Sequence, residues 1–199
     1  DADLPANTLT FSLNGAPTGT AITPAGAFTW TPTEAQGPGN YTFDVCVSDG
    51  AQSDCETITV TVNEINVAPV LGAIGDKSVA ELTPLAFTAT AKDADLPANT
   101  LTFSLDGAPT GTAITPAGAF TWTPTEAQGP GDYTFDVCVS DGALSDCETI
   151  TVTVSEVNVA PVLGTIGDKS IAELTLLAFT ATATDADIPA NTLTFSLDG

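Results

Sequence analysis

Apolar and polar residues alternate along most of the chain. In residues 41–48, YTFDVCVS, every second residue from Tyr41 to Val47 is apolar, and residues 56–62, ETITVTV, repeat this alternation. A period of two that is rich in β-branched and aromatic residues predicts half-buried antiparallel strands. Gly- and Pro-rich segments such as EAQGPG separate the runs, and no segment has a convincing helical period.

A segment of fifteen residues occurs three times, beginning at Asp1, Asp93 and Asp185, which gives a period of 92 residues. The aligned copies differ at ten of 107 positions. This period suits a small independent domain better than a solenoid repeat. About seven short strands per repeat predict an all-β fold of tandem antiparallel β-sandwiches, in which 119–122 and 132–139 count together as one strand. We expect a partial sandwich over 1–65, a complete one over 66–157 and another partial one over 158–199.

The strand alternation also predicts how the cysteines pair. If a hairpin turn is centred on residues 50–51, Cys46 faces Cys55 on the outer side of two neighbouring strands. The same register places Cys138 opposite Cys147. Four cysteines allow three connectivities, and the repeat favours the local pairing in each copy. Two hairpin disulfides would indicate an oxidising, extracellular compartment.

The charge balance excludes several classes of function. The net charge is −22, with three lysines and neither arginine nor histidine. Such a chain repels nucleic acid and anionic lipid and attracts cations. The apolar runs are too short to span a bilayer, so we expect no nucleic-acid partner and no membrane insertion. Without histidine, nucleophilic catalysis lacks its usual base, and we expect that the chain is not an enzyme.

Two acidic residues begin each copy of the repeated segment. Asp93 and Asp95 are two positions apart, and Asn99 follows four residues later. On an extended chain the two carboxylates would share a face and repel each other, and a calcium ion between them would remove this repulsion. A solvated acidic turn explains the same residues, because Asp, Pro and Asn are common in turns.

Several motifs occur together in the complete repeat. They are VAEL (79–82), KDADLPANTLTFSL, AFTWTPTE, YTFDVCVSDG and the linker NEINVAPV (63–70). In this order they resemble the cadherin-like and immunoglobulin-like repeats of bacterial surface proteins. Cadherin repeats bind calcium at the junctions between successive domains, and the bound calcium stiffens the array.

The resemblance implies two sets of calcium ligands, one at each junction. The linker has less carboxylate than that of cadherins, so one or two ions per junction are expected instead of three. The first set comprises Glu34, Glu64, Asn66, Asp93, Asp95, Asn99 and Asp141. The second set comprises Glu81, Glu126, Glu156, Asn158, Asp185, Asp187 and Asn191.

These observations predict a structural extracellular protein, either the stalk of an adhesin or a component of a surface filament, stiffened by calcium. Its expected partners are calcium and either further copies of itself or a ligand on a cell surface. The alternative is a carbohydrate-binding or spacer module of a secreted enzyme, which would need an exposed aromatic platform. Trp30 and Trp122 share strand parity with Phe28 and Phe120, which favours a place in the core. The partial repeats either belong to a longer uninterrupted array, the option we favour, or complete each other between chains.

Overall fold

The computed structural model describes residues 7–198, so the first copy of the acidic segment, at 1–6, lies outside the described residues. The chain forms two compact units. The first comprises the described part of Asp1–Ala68 together with Asp93–Thr100, and the second comprises Pro69–Lys92 and Leu101–Gly199. The acidic segment that begins at Asp93 therefore groups with the preceding repeat. The repeat boundaries at 65 and 157 stay a prediction.

The described part of the first unit contains two small sheets. Strands β1, β4 and β5 form one sheet in that order, and β2 pairs with β3 in the other. A turn of 3-10 helix at Glu34–Gln36 lies between β3 and β4. The strands are β1 (Thr10–Asn14), β2 (Ala21–Ile22), β3 (Phe28–Thr29), β4 (Gly39–Ser48) and β5 (Ser53–Val62).

The second unit contains a sandwich of a four-stranded sheet, β10-β13-β14-β7, and a three-stranded sheet, β11-β12-β8. Strand β7 runs parallel to β14, whereas the other neighbours are antiparallel. Two further pairs, β6-β9 and β15-β16, complete the unit. A second 3-10 turn lies at Glu126–Gln128. The strands are β6 (Val70–Leu71), β7 (Lys77–Ala80), β8 (Leu85–Thr88), β9 (Ala91–Lys92), β10 (Thr102–Asp106), β11 (Ala113–Ile114), β12 (Ala119–Trp122), β13 (Gly131–Ser140), β14 (Ser145–Ser155), β15 (Val162–Leu163) and β16 (Ala183–Thr184).

The alternating residues of these strands form the core of the second unit. Phe120 and Trp122 of β12 are each 1 % exposed and face Ile150, Val152 and Val137, each 0 % exposed. The predicted all-β sandwich is thereby confirmed. Burial of large apolar side chains contributes about 1.5–3 kcal/mol each, so this cluster dominates the stability of the complete repeat.

The expectation that 119–122 and 132–139 form one strand is wrong. Strands β12 and β13 belong to different sheets, and the 3-10 turn Glu126–Gln128 separates them. The physical reason lies in the two prolines of this connection, Pro124 and Pro130, because proline has no N–H to donate to a sheet.

The predicted hairpin register is confirmed in both copies. Cys46 pairs with Cys55 across β4 and β5, and Cys138 pairs with Cys147 across β13 and β14. Both pairs form disulfides. The sulfurs lie opposite the core face because the neighbouring Val137 and Val139 point inward. Between residues 7 and 198, no helix has the length and apolar character needed to cross a membrane.

Candidate metal centres

The first acidic cluster lies within the first unit and is built on the segment that begins at Asp93. Glu34, Glu64 and Asp95 each offer a carboxylate oxygen within 4.8 Å of the other two. Glu34 Oε1 accepts the backbone N–H of Leu96 at 3.0 Å. Oε1 of Glu64 is buried and has no hydrogen-bond partner. The cluster thus combines a glutamate from the 3-10 turn, one that follows β5 and one aspartate from the acidic segment.

Asp95 is the best-buried member of this cluster, at 2 % exposed. Its two carboxylate oxygens accept the backbone N–H of Val67 at 3.1 and 3.2 Å. Asn99 Nδ2 donates to Asp95 Oδ2 and to Asn66 Oδ1, both at 3.0 Å. The backbone N–H of Asp95 donates to Asp93 Oδ1 at 2.9 Å, whereas Asp93 Oδ2 is buried without a partner. These bonds fix the linker against the acidic segment.

The second acidic cluster lies within the second unit and contains a more deeply buried glutamate. Glu81, Glu126 and Glu156 each offer a carboxylate oxygen within 4.8 Å of the other two. Glu81 is 1 % exposed, and its Oε1 accepts the backbone N–H of Val157 at 2.9 Å. Glu81 Oε2 and both carboxylate oxygens of Glu156 are buried without hydrogen-bond partners. Three buried oxygens therefore converge with no donor to satisfy them.

The third copy of the acidic segment repeats the contacts of the second. Asp187, 3 % exposed, accepts the backbone N–H of Val159 at 3.0 and 3.3 Å. Asn191 Nδ2 donates to Asp187 Oδ2 and to Asn158 Oδ1, both at 2.8 Å. The backbone N–H of Asp187 donates to Asp185 Oδ1 at 3.0 Å. The structure thus groups Asn158, Asp185, Asp187 and Asn191 through hydrogen bonds, and their role as metal ligands stays a prediction.

The 3-10 turn positions Glu126 through a pattern that the sequence also contains. In TEAQ (125–128), Gln128 Oε1 accepts the backbone N–H of Thr125 at 2.9 Å, and Gln128 Nε2 donates to the carbonyl of Thr110 at 3.0 Å. This arrangement follows the capping box, S/T-x-x-E/Q, that often begins a helical turn. Glu126 is the first residue of the turn, and its Oε1 accepts the backbone N–H of Ile188 at 3.0 Å.

Asp141, the remaining member of the first set, stabilises a hairpin turn in the second unit. Its Oδ1 accepts the backbone N–H groups of Ala143 and Leu144, at 2.6 and 2.7 Å, in the turn between β13 and β14. Asp49 closes the equivalent hairpin in the first unit, where backbone hydrogen bonds from Gln52 and Ala51 lower the pKa of its carboxyl. A role of Asp141 as a metal ligand stays a prediction.

One glutamate in each cluster has a raised pKa. Burial, followed by the charge of Glu34, raises the pKa of Glu64. Burial, followed by the charges of Glu81 and Glu126, raises the pKa of Glu156. Both effects disfavour the charged form of the carboxyl. A cation bound beside Glu64 or Glu156 would favour the charged form of that carboxyl instead.

The donor set fits a calcium ion. Calcium takes six to eight oxygen ligands at about 2.3–2.6 Å, so two oxygens on one ion are at most about 5 Å apart. The oxygens of each glutamate-containing cluster meet this limit at 4.8 Å. The unpartnered oxygens of Glu81 and Glu156 are the strongest sign of a cation, because buried charged groups without partners are costly. Glu81, Glu126 and Glu156 would hold the ion in the second unit.

Two residues that the sequence analysis did not single out also shape the clusters. Gly129 packs against Glu81, so that a Cβ there would lie 2.1 Å from Glu81 Oε2. At the matching position Gly37, the nearest atom to such a Cβ is Val62 Cγ1 at 3.5 Å. A glycine before a proline is an ordinary turn signal, and nothing in the sequence distinguishes its role in packing.

The two tryptophans do not form an exposed platform. Trp122 is 1 % exposed and packs edge-on against Tyr133, with ring centroids 5.1 Å apart. Trp30 is half-buried and makes the equivalent contact with Tyr41 at 5.1 Å. The expected place of Trp122 in the core is confirmed.

Comparison with known families identifies the repeat. The model of the "Putative Ig domain" family, He_PIG, matches residues 1–63 and 68–155, which is more than half of the chain. The chain belongs to the He_PIG family of Ig domains. No curated protein sequence matches it.

Two solved protocadherin structures show a similar fold. Human protocadherin-24 EC1-2 is 18 % identical with a TM-score of 0.51, and the match covers 76 % of this chain and 84 % of that one. Protocadherin gammaB7 EC3-6, in a structure of its cis-dimer, is 22 % identical with a TM-score of 0.50, covering 80 % and 43 %. An endo-fucoidan hydrolase of glycoside hydrolase family 107 is 22 % identical with a TM-score of 0.39, covering 78 % of this chain. The He_PIG chain spans only 24 % of that hydrolase.

Proposed function

We propose that this chain is a structural extracellular protein, part of an adhesin stalk or a surface filament, whose acidic clusters bind calcium and stiffen the array. The observation that supports this most directly is the convergence of Glu81, Glu126 and Glu156, with three buried oxygens that lack donors. The two disulfides favour an oxidising compartment outside the cell.

Stiffening follows from where the ligands lie in the sequence. In the first acidic cluster, Glu34 and Glu64 belong to the first predicted repeat, whereas Asp95 belongs to the next one. An ion held by ligands from both repeats restricts the linker between them. Bound cations would also reduce the repulsion within a chain of net charge −22. We expect dissociation constants of about 10⁻⁴–10⁻³ M, as in other extracellular modules.

Calorimetric titration of the 199-residue chain with calcium tests the proposal. Glu64→Gln and Glu156→Gln each remove one ligand from one cluster, and each variant should lose the binding heat of that cluster. Glu56→Gln removes the same charge from an exposed position of β5 outside both clusters and should change nothing. Equal titrations for all three variants would mean that calcium merely condenses on a highly charged chain, and the proposal would be wrong.

Stiffening needs a separate measurement, because calcium could bind without restricting the linkers. Small-angle X-ray scattering with calcium and with chelator should give a narrower distribution of interatomic distances when calcium is bound. If the chain binds calcium while the scattering stays unchanged, the ions do not restrict the linkers.

A further inference from the structure

Asn14 is the only asparagine of the sequence that is followed by a glycine. Asparagine is one of the chemically labile residues of proteins, because the backbone nitrogen of the next residue can attack its side-chain amide. Glycine leaves this nitrogen accessible, since it has no Cβ and adopts many backbone conformations. The pair Asn14–Gly15 therefore has the local sequence that most favours loss of the side-chain amide.

The structure leaves this pair open to the reaction. Asn14 is exposed and is the last residue of β1. The register of β1 with β4 ends at the pair Asn14 and Asp44, so Gly15 lies beyond the paired residues. Gly15 has φ +68°, and a Cβ there would meet no atom within 4 Å. The backbone at Gly15 thus has room to bring its nitrogen to Cγ of Asn14.

The matching position of the complete repeat has the same surroundings and carries an aspartate. Asp106 is exposed, ends β10 and pairs with Asp136 of β13. Gly107 follows it with φ +68° and again with no atom within 4 Å of a Cβ. The open turn is therefore a property that both units share, and the fold accepts an aspartate at its first residue.

We propose that Asn14–Gly15 is a site of spontaneous deamidation, which gives this turn of the first unit the charge that Asp106 gives to the second. The Gly15 nitrogen loses its proton to solvent and bonds to Asn14 Cγ, while the bond from Cγ to Nδ2 breaks and Nδ2 leaves as ammonia. Water then opens the resulting succinimide ring at one of its two carbonyl carbons. One opening gives aspartate, and the other gives isoaspartate, in which the main chain runs through the side chain.

Asp44 restrains this reaction in the folded chain. Asn14 Nδ2 donates to Asp44 Oδ2 at 3.2 Å, and Thr57 Oγ1 donates to Asp44 Oδ1 at 2.7 Å. The first bond holds the amide toward β4, and the negative charge of Asp44 opposes loss of the proton from Gly15. Conversion of Asn14 should therefore be slower in the folded chain than in the unfolded one, and removal of Asp44 should speed it.

The product also changes the pairing of β1 with β4. An aspartate at position 14 lies opposite Asp44, and like charges directly opposite each other destabilise a strand pair. Isoaspartate in addition lengthens the main chain by one methylene group at the end of β1. The reaction thus records the age of the chain as a negative charge at this strand end, and the first unit loses stability as the charge accumulates.

Incubation of the 199-residue chain in mildly alkaline buffer, followed by peptide mass spectrometry, tests the site. Asn14 should convert at least tenfold faster than Asn40, which is also exposed but is followed by Tyr41 within β4. In water enriched in heavy oxygen, the product should carry one heavy oxygen atom, because water opens the ring. Equal rates for Asn14 and Asn40, or an Asn14 that converts in urea but never in the folded chain, would overturn the proposal.

The complete repeat offers a gain of the reaction with a matched control. Asp106→Asn restores an asparagine before Gly107 and should make this turn deamidate as Asn14 does. Asp132→Asn restores the other asparagine of the first unit, but Tyr133 follows it within β13, so this variant should stay intact. Equal behaviour of the two variants would refute the role of the turn. Asp44→Ala should speed conversion of Asn14 at least twofold, and an unchanged rate would refute the restraint by Asp44.

Thermal melts in chelator test the consequence for stability. Asn14→Asp reproduces the aspartyl product and should lower the melting temperature, because it places two carboxylates opposite each other. Asn40→Asp is the control, because Thr61 Oγ1 donates to Asn40 Oδ1 and the matching Thr153 Oγ1 donates equally to Asp132 Oδ1. Equal melting temperatures for the two variants would refute the loss of stability on deamidation.

Discussion

A methyl group at Gly129 should disturb the second acidic cluster, whereas a methyl group at Gly37 should not. Both glycines have extended backbones, φ −111° and −109°, that alanine also adopts. At Gly129 the new Cβ would lie 2.1 Å from Glu81 Oε2 and 3.0 Å from Glu81 Cβ and Cδ, closer than van der Waals contact allows. Because Glu81 is 1 % exposed, it cannot move into solvent without breaking its bond to Val157.

The expected cost follows from these contacts. Overpacking costs about 1–3 kcal/mol, and loss of a hydrogen bond to a charged group costs about 1.5–3 kcal/mol. Alanine also lowers the conformational entropy of the unfolded chain, which offsets about 0.4–1 kcal/mol of this loss of stability. Gly129→Ala should therefore lower the stability of the complete repeat by about 1.5–5.5 kcal/mol, whereas Gly37→Ala should be neutral or slightly stabilising.

Urea unfolding of dilute chain in chelator measures both variants, and calcium titration of each shows whether displacement of Glu81 also weakens binding. Equal stabilities for the two variants would refute the assigned packing of Glu81. Reduced stability with unchanged calcium binding would instead show that Glu81 is not a calcium ligand.

Three further predictions concern charge, the disulfides and the core. In chelator, the raised pKa of Glu156 means that the native chain binds the proton of this carboxyl more tightly than the unfolded chain does. The contribution of Glu156 to the free energy of unfolding is therefore largest below the ordinary glutamate pKa and falls as the pH rises through the raised pKa of the native chain. Glu156→Gln should therefore raise stability at neutral pH in thermal melts and flatten its pH dependence, and a loss of stability there would contradict this. Replacing Cys138 and Cys147 by serine should cost about 2–3 kcal/mol in urea unfolding, because the enclosed loop is short. Trp122→Ala should lower the free energy of unfolding by about 3–5 kcal/mol, and Trp30→Ala should lower it less because Trp30 is only half-buried. Equal losses of stability would contradict this difference in burial.

The sequence was sufficient to predict the hairpin register and the sandwich class, because both depend on local alternation. The pairing of Phe43 with Ile58 and of Cys46 with Cys55 follows from strand parity and one turn. The split between β12 and β13 was missed, since the alternation of each run looks the same whether the two runs share a strand or lie in different sheets. Pro124 and Pro130, which lie between the two runs, were the residues that could have indicated the break.

The candidate sites could be predicted only as sets of residue types. Three glutamates of the second set, Glu81, Glu126 and Glu156, do converge, but which of their oxygens stay without donors depends on distances that the sequence does not contain. Glu81 is an example, because its burial depends on Gly129 and on the backbone N–H of Val157, which are far from it in the sequence.

The identical LAFT segments show that strand formation in this chain depends on tertiary partners. At Leu85–Thr88 the four residues form β8 against β12, whereas at 177–180 they form no strand. Intrinsic β propensity is the same in both places, so the difference of state must come from the apolar face that β12 offers and from its unpaired backbone groups.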